Sequence, residues 1–247
     1  MLAPLLPTAL TPLFGLPIGS YHVHHCLMHH QENNHYPKDV SSTEPYQRDN
    51  LGHFLVYWLR FVIAVWCELP AYAWRSGNKR LALRLSLSLV SYWVSTSLLW
   101  RLNKAATLWV FIIPFFATSF ALMFGNWSQH IFIDQDCPGS AWTSTYNCIG
   151  CSDNQKSFND GYHIIHHLAP GLHWSELPKR FTQTLVDHAE HKALLFEGIG
   201  FFDVGLAVFC RHWHVLLKHL LILDPQLDKL PPAEKIRLLK SRLSPVQ

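Results

Sequence analysis

The histidines of this chain come in groups. The densest is Tyr21-His22-Val23-His24-His25-Cys26-Leu27-Met28-His29-His30, and a second is His163-Ile164-Ile165-His166-His167. A neutral imidazole binds a metal through one ring nitrogen, so histidines repeated at helical spacing are a metal-binding pattern. On an α-helix, residues three and four apart share a face. That spacing predicts one stripe of His22, His25 and His29 flanked by His30, and another of His163, His166 and His167. Between the groups, the stretch Asn126-Trp127-Ser128-Gln129-His130 sets Asn126 and His130 four apart at the end of an apolar run. The candidate ligands are therefore His25, His29, His30, His130, His163, His166 and His167, with His22, His24 and Asn126 as additional candidates. Glu32 and Asp160, and also Asp134 and Asp136, stand beside the groups. Carboxylates placed so can orient an imidazole through its second nitrogen.

Ligand number narrows the metal. Structural zinc takes four ligands, often including thiolates. Seven imidazoles exceed one zinc and point to two metals. Imidazole suits zinc, copper, iron and nickel alike, and among these non-haem iron is the metal that turns such a site to oxygen chemistry. The remaining histidines are expected to be ordinary. His53, His188, His191, His212, His214 and His219 read as packed or hydrogen-bonded residues, and His35 and His173 as structural or supporting ones. The six cysteines form no secreted disulfide framework, and the single CxxC, Cys148 to Cys151, reads as structural. Neither a GxGxxG dinucleotide loop nor an HExxH zinc-hydrolase motif occurs.

Such ligands need helices to hold them, and the composition says where those helices reside. Hydrophobic residues make up 49% of the 247 residues and charged ones 15%, against about 25% charged in an ordinary soluble domain. A mean hydropathy of only +0.07 predicts a few spanning helices beside a sizeable aqueous part. A net charge of +3 without a long basic run argues against a nucleic-acid partner. The uncharged run 105–125 is long enough for a bilayer, which needs about 20 residues. Residues 81–100 are a second candidate, and the short link between the two makes a hairpin. Residues 53–74 contain Arg60, Glu68 and Pro70 and are expected to lie in the interface. Two histidine groups sharing one site must lie on one side of the membrane, which requires an even number of crossings between them. Residues 182–197 predict a soluble helix with Thr182 as N-cap, 198–223 an interfacial or packed helix, and 224–247 an exposed tail with a short helix after Pro232. The apolar start, broken by Pro4, Pro7, Pro12 and Pro17, is a poor signal peptide and reads as the end of a membrane hairpin. The expected fold is mainly α, one domain over 1–247, with a membrane hairpin, interfacial helices and a cytosolic helical cap carrying the histidine boxes.

These motifs resemble the membrane fatty acid desaturase/hydroxylase superfamily, whose histidine boxes run HxxxH, HxxHH or HxxxHH, and HxxHH. His25-x3-His29-His30 matches the second box and His163-x2-His166-His167 the third. Asn126-x3-His130 is similar to the extra ligand pair that acyl-CoA desaturases place after their fourth membrane helix. The loop HHQENNHYPKDVSST resembles the hydroxylase branch. The resemblance covers roughly residues 20–180. No histidine stands before Tyr21, so the first box and first hairpin are expected to be missing, as in a chain that starts in mid-hairpin. The resemblance implies two iron ions and O2 as co-substrate, with a fatty acyl or related lipid chain as substrate. It implies desaturation or hydroxylation, electrons from cytochrome b5 or a ferredoxin, and an integral membrane protein of the endoplasmic reticulum with its boxes facing the cytosol. The missing box leaves one alternative, a truncated or catalytically inactive relative that binds lipid or serves as a scaffold.

Overall fold

The computed structural model describes residues 10–246; Pro4 and Pro7 lie outside the described residues. The chain is mainly helical, and it divides into two compact units. One comprises residues 1–31 and 58–123, the other 32–57 and 124–247.

Among the described residues of the first unit there is first a 3₁₀ turn, Thr11–Phe14, closed by Gly15 at φ 75°. A Cβ on Gly15 would fall 2.2 Å from the Phe115 Cα, so positive φ and close backbone approach both demand glycine there. A π-helical segment, His22–His29, then runs into a short α1, His30–Glu32. Three long helices follow in the chain: α2, Leu51–Arg75, α3, Lys79–Leu102, and a run of α4, Lys104–Thr107, a π turn, Leu108–Ile112, and α5, Ile113–Gln129. All three are long and apolar enough to cross a membrane. Asn78 and Asn103 start the second and third by accepting the amides of Leu81 and Ala106, the ordinary N-cap service of a short polar side chain. Asn103 is also the hinge of the hairpin, where the Tyr92 hydroxyl reaches across to the Phe111 carbonyl at 3.1 Å. Trp66, Tyr92 and Trp93 gather round Phe115, and Trp58 donates to Ser119. On α3, Leu83, Leu87, Val90, Val94 and Leu98 are each more than half exposed. Their spacing of three and four lines them up on one helix face, as lipid-facing residues would be.

The aqueous part is built from short pieces. In chain order come β1, Asn147–Ile149, α6, Asp153–Lys156, α7, His163–Leu168, a 3₁₀ turn, Trp174–Glu176, α8, Leu177–Gln183, and α9, Leu185–Glu190. Then follow β2, Leu195–Glu197, α10, Phe201–Phe209, α11, Trp213–His219, β3, Leu220–Leu221, α12, Pro225–Asp228, and α13, Pro232–Ser241. The sheet order is β1-β2-β3, with β1 parallel and β3 antiparallel to β2, pairing Cys148 with Phe196 and Phe196 with Leu220. Ile165 of α7, Leu177 and Phe181 of α8, and Leu195 of β2 form a buried cluster, which ties the third histidine box to the sheet.

Several expected boundaries shift. The helix expected over 182–197 breaks at Thr184, and its last residues form strand β2. Leu194, Leu195 and Phe196 are nearly fully buried, so burial of three consecutive apolar side chains on a paired strand outweighs helix propensity. Thr182 is not a cap; its hydroxyl bonds back to the Lys179 carbonyl. The helix expected over 198–223 is two helices parted at Arg211, which has φ 57°. The tail is largely exposed, with helix α13 from Pro232 as expected, but it is anchored: Leu239, Arg242 and Leu243 are all but inaccessible.

Arg48 explains why that tail is held. It is fully buried and donates to the carbonyls of Thr43, Glu44, Tyr46, Ile131, Arg242 and Ser244. Backbone bonds Arg48 to Leu243, Ile133 to Arg242 and Val246 to Glu44 close the same junction. Burial pulls the guanidinium down to about 9, still charged at neutral pH, with six carbonyl dipoles in place of water.

Candidate metal centre

Each unit carries its own set of histidines. In the first unit, the π-helical winding changes which side chains meet. A π-helix pairs residue i with i+5 rather than i+4, and here the His30 amide bonds to the His25 carbonyl. The His25 and His30 rings are consequently neighbours, 4.6 Å apart and edge to face, with Nε2 atoms 3.1 Å apart. The His29 ring lies 5.7 Å from His25 and 5.8 Å from His30. The α-helical stripe of His22, His25 and His29 does not form. His22 is exposed, and the His24 ring lies 5.0 Å from Phe61 and 6.2 Å from His29. An inserted π turn is frequent at functional sites, but nothing in residue type distinguishes it from an α-helix.

In the second unit, α5 ends at Gln129 and delivers His130, while α7 delivers His163, His166 and His167. The rings of His130, His163 and His167 stand 4.9 to 5.4 Å apart, and each offers a nitrogen within 4.8 Å of the others. Their outer nitrogens are all engaged. His130 Nδ1 meets the Ser144 carbonyl at 2.9 Å, His163 Nδ1 meets Asp160 Oδ1 at 3.1 Å, and His167 Nδ1 meets Asn33 Oδ1 at 3.1 Å. Every one of these partners is an acceptor, so each Nδ1 carries the proton and each Nε2 carries a lone pair. The Nε2 of His163 is buried and makes no hydrogen bond. A buried acceptor without a partner costs about 1–3 kcal/mol; a cation would remove that cost. Burial, with His163 beside it, pushes His166 down to about 4 against the pull of Asp160. The imidazole is therefore neutral, the form that ligates. These residues fit a metal.

The supporting residues are partly those the sequence suggested. Asp160 holds His163 with one oxygen and accepts from Gln129 Nε2 at 2.5 Å with the other. Asn126 spends its amide nitrogen on the Ser41 carbonyl and the Tyr57 hydroxyl, at 3.0 and 2.8 Å. Glu32 lies 3.9 Å from Lys38. Asp134 pairs with Arg242 at 2.7 Å and accepts the Asp136 amide at 3.0 Å. Asp134 therefore belongs to the tail junction. Asn33, Gln129 and the Ser144 carbonyl are the residues that sequence reasoning missed. Only Asn33 carried a hint: consecutive asparagines after a helix favour the left-handed conformation that ends it, and Asn33 and Asn34 have φ 49° and 64°. The histidines expected to be ordinary have ordinary partners: His53 accepts the Gln47 amide and His219 meets the Glu197 carbonyl. A cavity of about 310 Å³ opens beside Asp160 and Gln129, walled by Gly125, Gly161, Phe201 and Phe202.

No curated protein and no solved structure matches the chain. A family model described as fatty acid desaturase matches residues 3–197, a stretch that holds both histidine boxes, His130, and all three long helices. The chain belongs to the fatty acid desaturase family.

Proposed function

We propose that the chain is a membrane-bound non-haem di-iron oxidoreductase of lipid metabolism that uses O2 to place a double bond or a hydroxyl in a fatty acyl or related chain. The ligands in this reading are His25, His29 and His30 of the first unit and His130, His163, His166 and His167 of the second, with Asn126 as an additional candidate. Asp160 and the Asn33 carboxamide keep the protons of His163 and His167 on the outer nitrogens. The observation that carries this reading is the buried Nε2 of His163, with no hydrogen bond of its own and Asp160 behind the ring. When bound, iron supplies the oxygen-activating chemistry; the protein's own residues bind it, orient the imidazoles and exclude water. The cavity beside Asp160 has Phe201, Phe202 and glycines on its apolar side and Gln129, Asp153, Asn154 and Lys156 on its polar side. Electrons come from an external donor such as cytochrome b5 or a ferredoxin.

In this reading α2 lies in the interface, with Arg60, Glu68 and Pro70 along it, although its length alone would allow a crossing. The boxes then share the cytosolic side, with the endoplasmic reticulum as the membrane.

The test is the metal content of detergent-purified protein. We expect about two iron ions per chain, lost in a His163→Ala/His166→Ala variant that keeps its helical content. A wild-type chain that folds yet takes up no iron would overturn the catalytic reading and favour an inactive, lipid-binding relative.

A further inference from the structure

Helix α7 carries three of the proposed ligands but has no N-cap of its own: Tyr162 occupies the position and makes no side-chain bond. The service comes from elsewhere. Asn147 of β1 is fully buried, and its Oδ1 accepts the Ile164 amide at 2.9 Å. Its Nδ2 faces His188 Nε2 at 3.0 Å, and His188 Nδ1 meets the Thr184 carbonyl at 2.7 Å. The two ends of this relay are backbone groups of fixed polarity. The Thr184 carbonyl can only accept, so the His188 proton sits on Nδ1 and Nε2 accepts. Asn147 must then turn its amide to His188 and its oxygen to Ile164. His188 is completely buried, wedged between Trp142 at 4.9 Å and Phe181 at 4.9 Å.

We propose that Asn147 and neutral His188 are positioning residues that set the first turn of α7, so that metal retention by His163, His166 and His167 depends on a histidine outside the ligand set. The proposal rests on the metal-binding reading above. A second proton on His188 would place N–H against N–H₂. Asn147 would have to flip, and the Ile164 amide would then face an amide donor in place of its acceptor. The neighbours contributed by other elements, Asn147, Trp142 and Phe181, are uncharged. On its own helix, Asp187 favours the proton and His191 opposes it, while burial is the larger effect and holds His188 below 6.5.

The experiment uses the full chain in detergent, with Co2+ as probe metal and hydrogen exchange at Ile164 in the metal-free protein. Asn147→Leu is expected to speed Ile164 exchange and to weaken Co2+ binding by about 10-fold or more. His188→Gln, which can still accept from Asn147 and donate to Thr184, is expected to retain both properties. In the wild type, Ile164 protection falls as the pH drops below 6.5; in His188→Gln it does not. Unchanged Ile164 exchange and Co2+ affinity in Asn147→Leu, or wild-type acid sensitivity in His188→Gln, would overturn the relay. A wild type that binds no Co2+ would overturn the metal reading itself, and with it the role in retention, whatever Ile164 does.

Discussion

A single imidazole records the chemistry expected of it in the partner of its far nitrogen. His130, His163 and His167 each meet an acceptor through Nδ1, and three different kinds of acceptor produce one tautomer. The Ser144 carbonyl cannot change its polarity, so His130 is the most firmly fixed. Asp160 meets His163 through a carboxylate oxygen, the kind of partner that most often orients a metal-ligating imidazole. We expect Asp160→Ala to weaken metal binding by about 10- to 100-fold without unfolding the protein. Asp160→Asn should fall between, since it keeps an acceptor without the charge. Metal titration of the two variants checks the order. His188 gives a stability prediction of opposite character. Its folded pKa lies below 6.5 because burial disfavours the cation, so the unfolded chain takes up the proton first. Its contribution is therefore complete above 6.5 and is lost as the pH falls below that value through the folded pKa. Metal-free wild type should lose thermal stability on acidification across that window more steeply than His188→Gln.

Among the elements, α7 and the loop before α2 are held from outside themselves. Six residues are too few for a stable isolated helix, and α7 persists because Ile165 joins the cluster with Leu177, Phe181 and Leu195 and because Asn147 caps it. The loop after α1 depends on Arg48. Truncating that side chain would leave carbonyls of three separate segments buried without donors. Arg48→Met should cost about 3–5 kcal/mol, read as a lower midpoint in chemical unfolding. Removing the chain after Ser241 should destabilise the same unit, because Arg242, Leu243 and Ser244 complete the junction. A tail that proves dispensable for stability would contradict this account. Asp134 follows the same logic: it was a candidate to orient an imidazole, and its real partner is the Arg242 guanidinium.

For the whole molecule, the deciding surface is the apolar face of α3. Leu83, Leu87, Val90, Val94 and Leu98 face outward together, and no soluble protein would leave so regular a stripe to water. We expect Val90→Arg near the helix centre to impair insertion by about 2.5–3.5 kcal/mol, read as the inserted fraction of the variant against wild type. The topology has its own check. In a cysteine-free background, Asp49→Cys and Ser76→Cys should react with an impermeant maleimide from one side of the membrane and Lys104→Cys from the other. Labelling of Ser76→Cys from the Lys104 side would make α2 a third crossing and would separate the two boxes.

The sequence by itself determined the histidine groups, their order and the apolar helices, because histidine clustering and hydropathy are local properties. His163, His166 and His167 fall on one helix as their spacing requires, and Ala105 to Gly125 lies within one helical run. Tertiary structure decided what local pattern could not. The π winding that brings His30 to His25 is set by backbone hydrogen bonds that residue type does not encode. The strand at Leu195–Glu197 exists because Asn147–Ile149 offers it a partner, and the anchored tail because Arg48 gathers carbonyls from residues 194 and 196 positions away in the chain. Asn33, Gln129, Asn147 and His188 look like any polar residues in the sequence. Their roles arise only where the fold sets a fixed donor or acceptor within about 3 Å of them, and that proximity is a property of the folded chain.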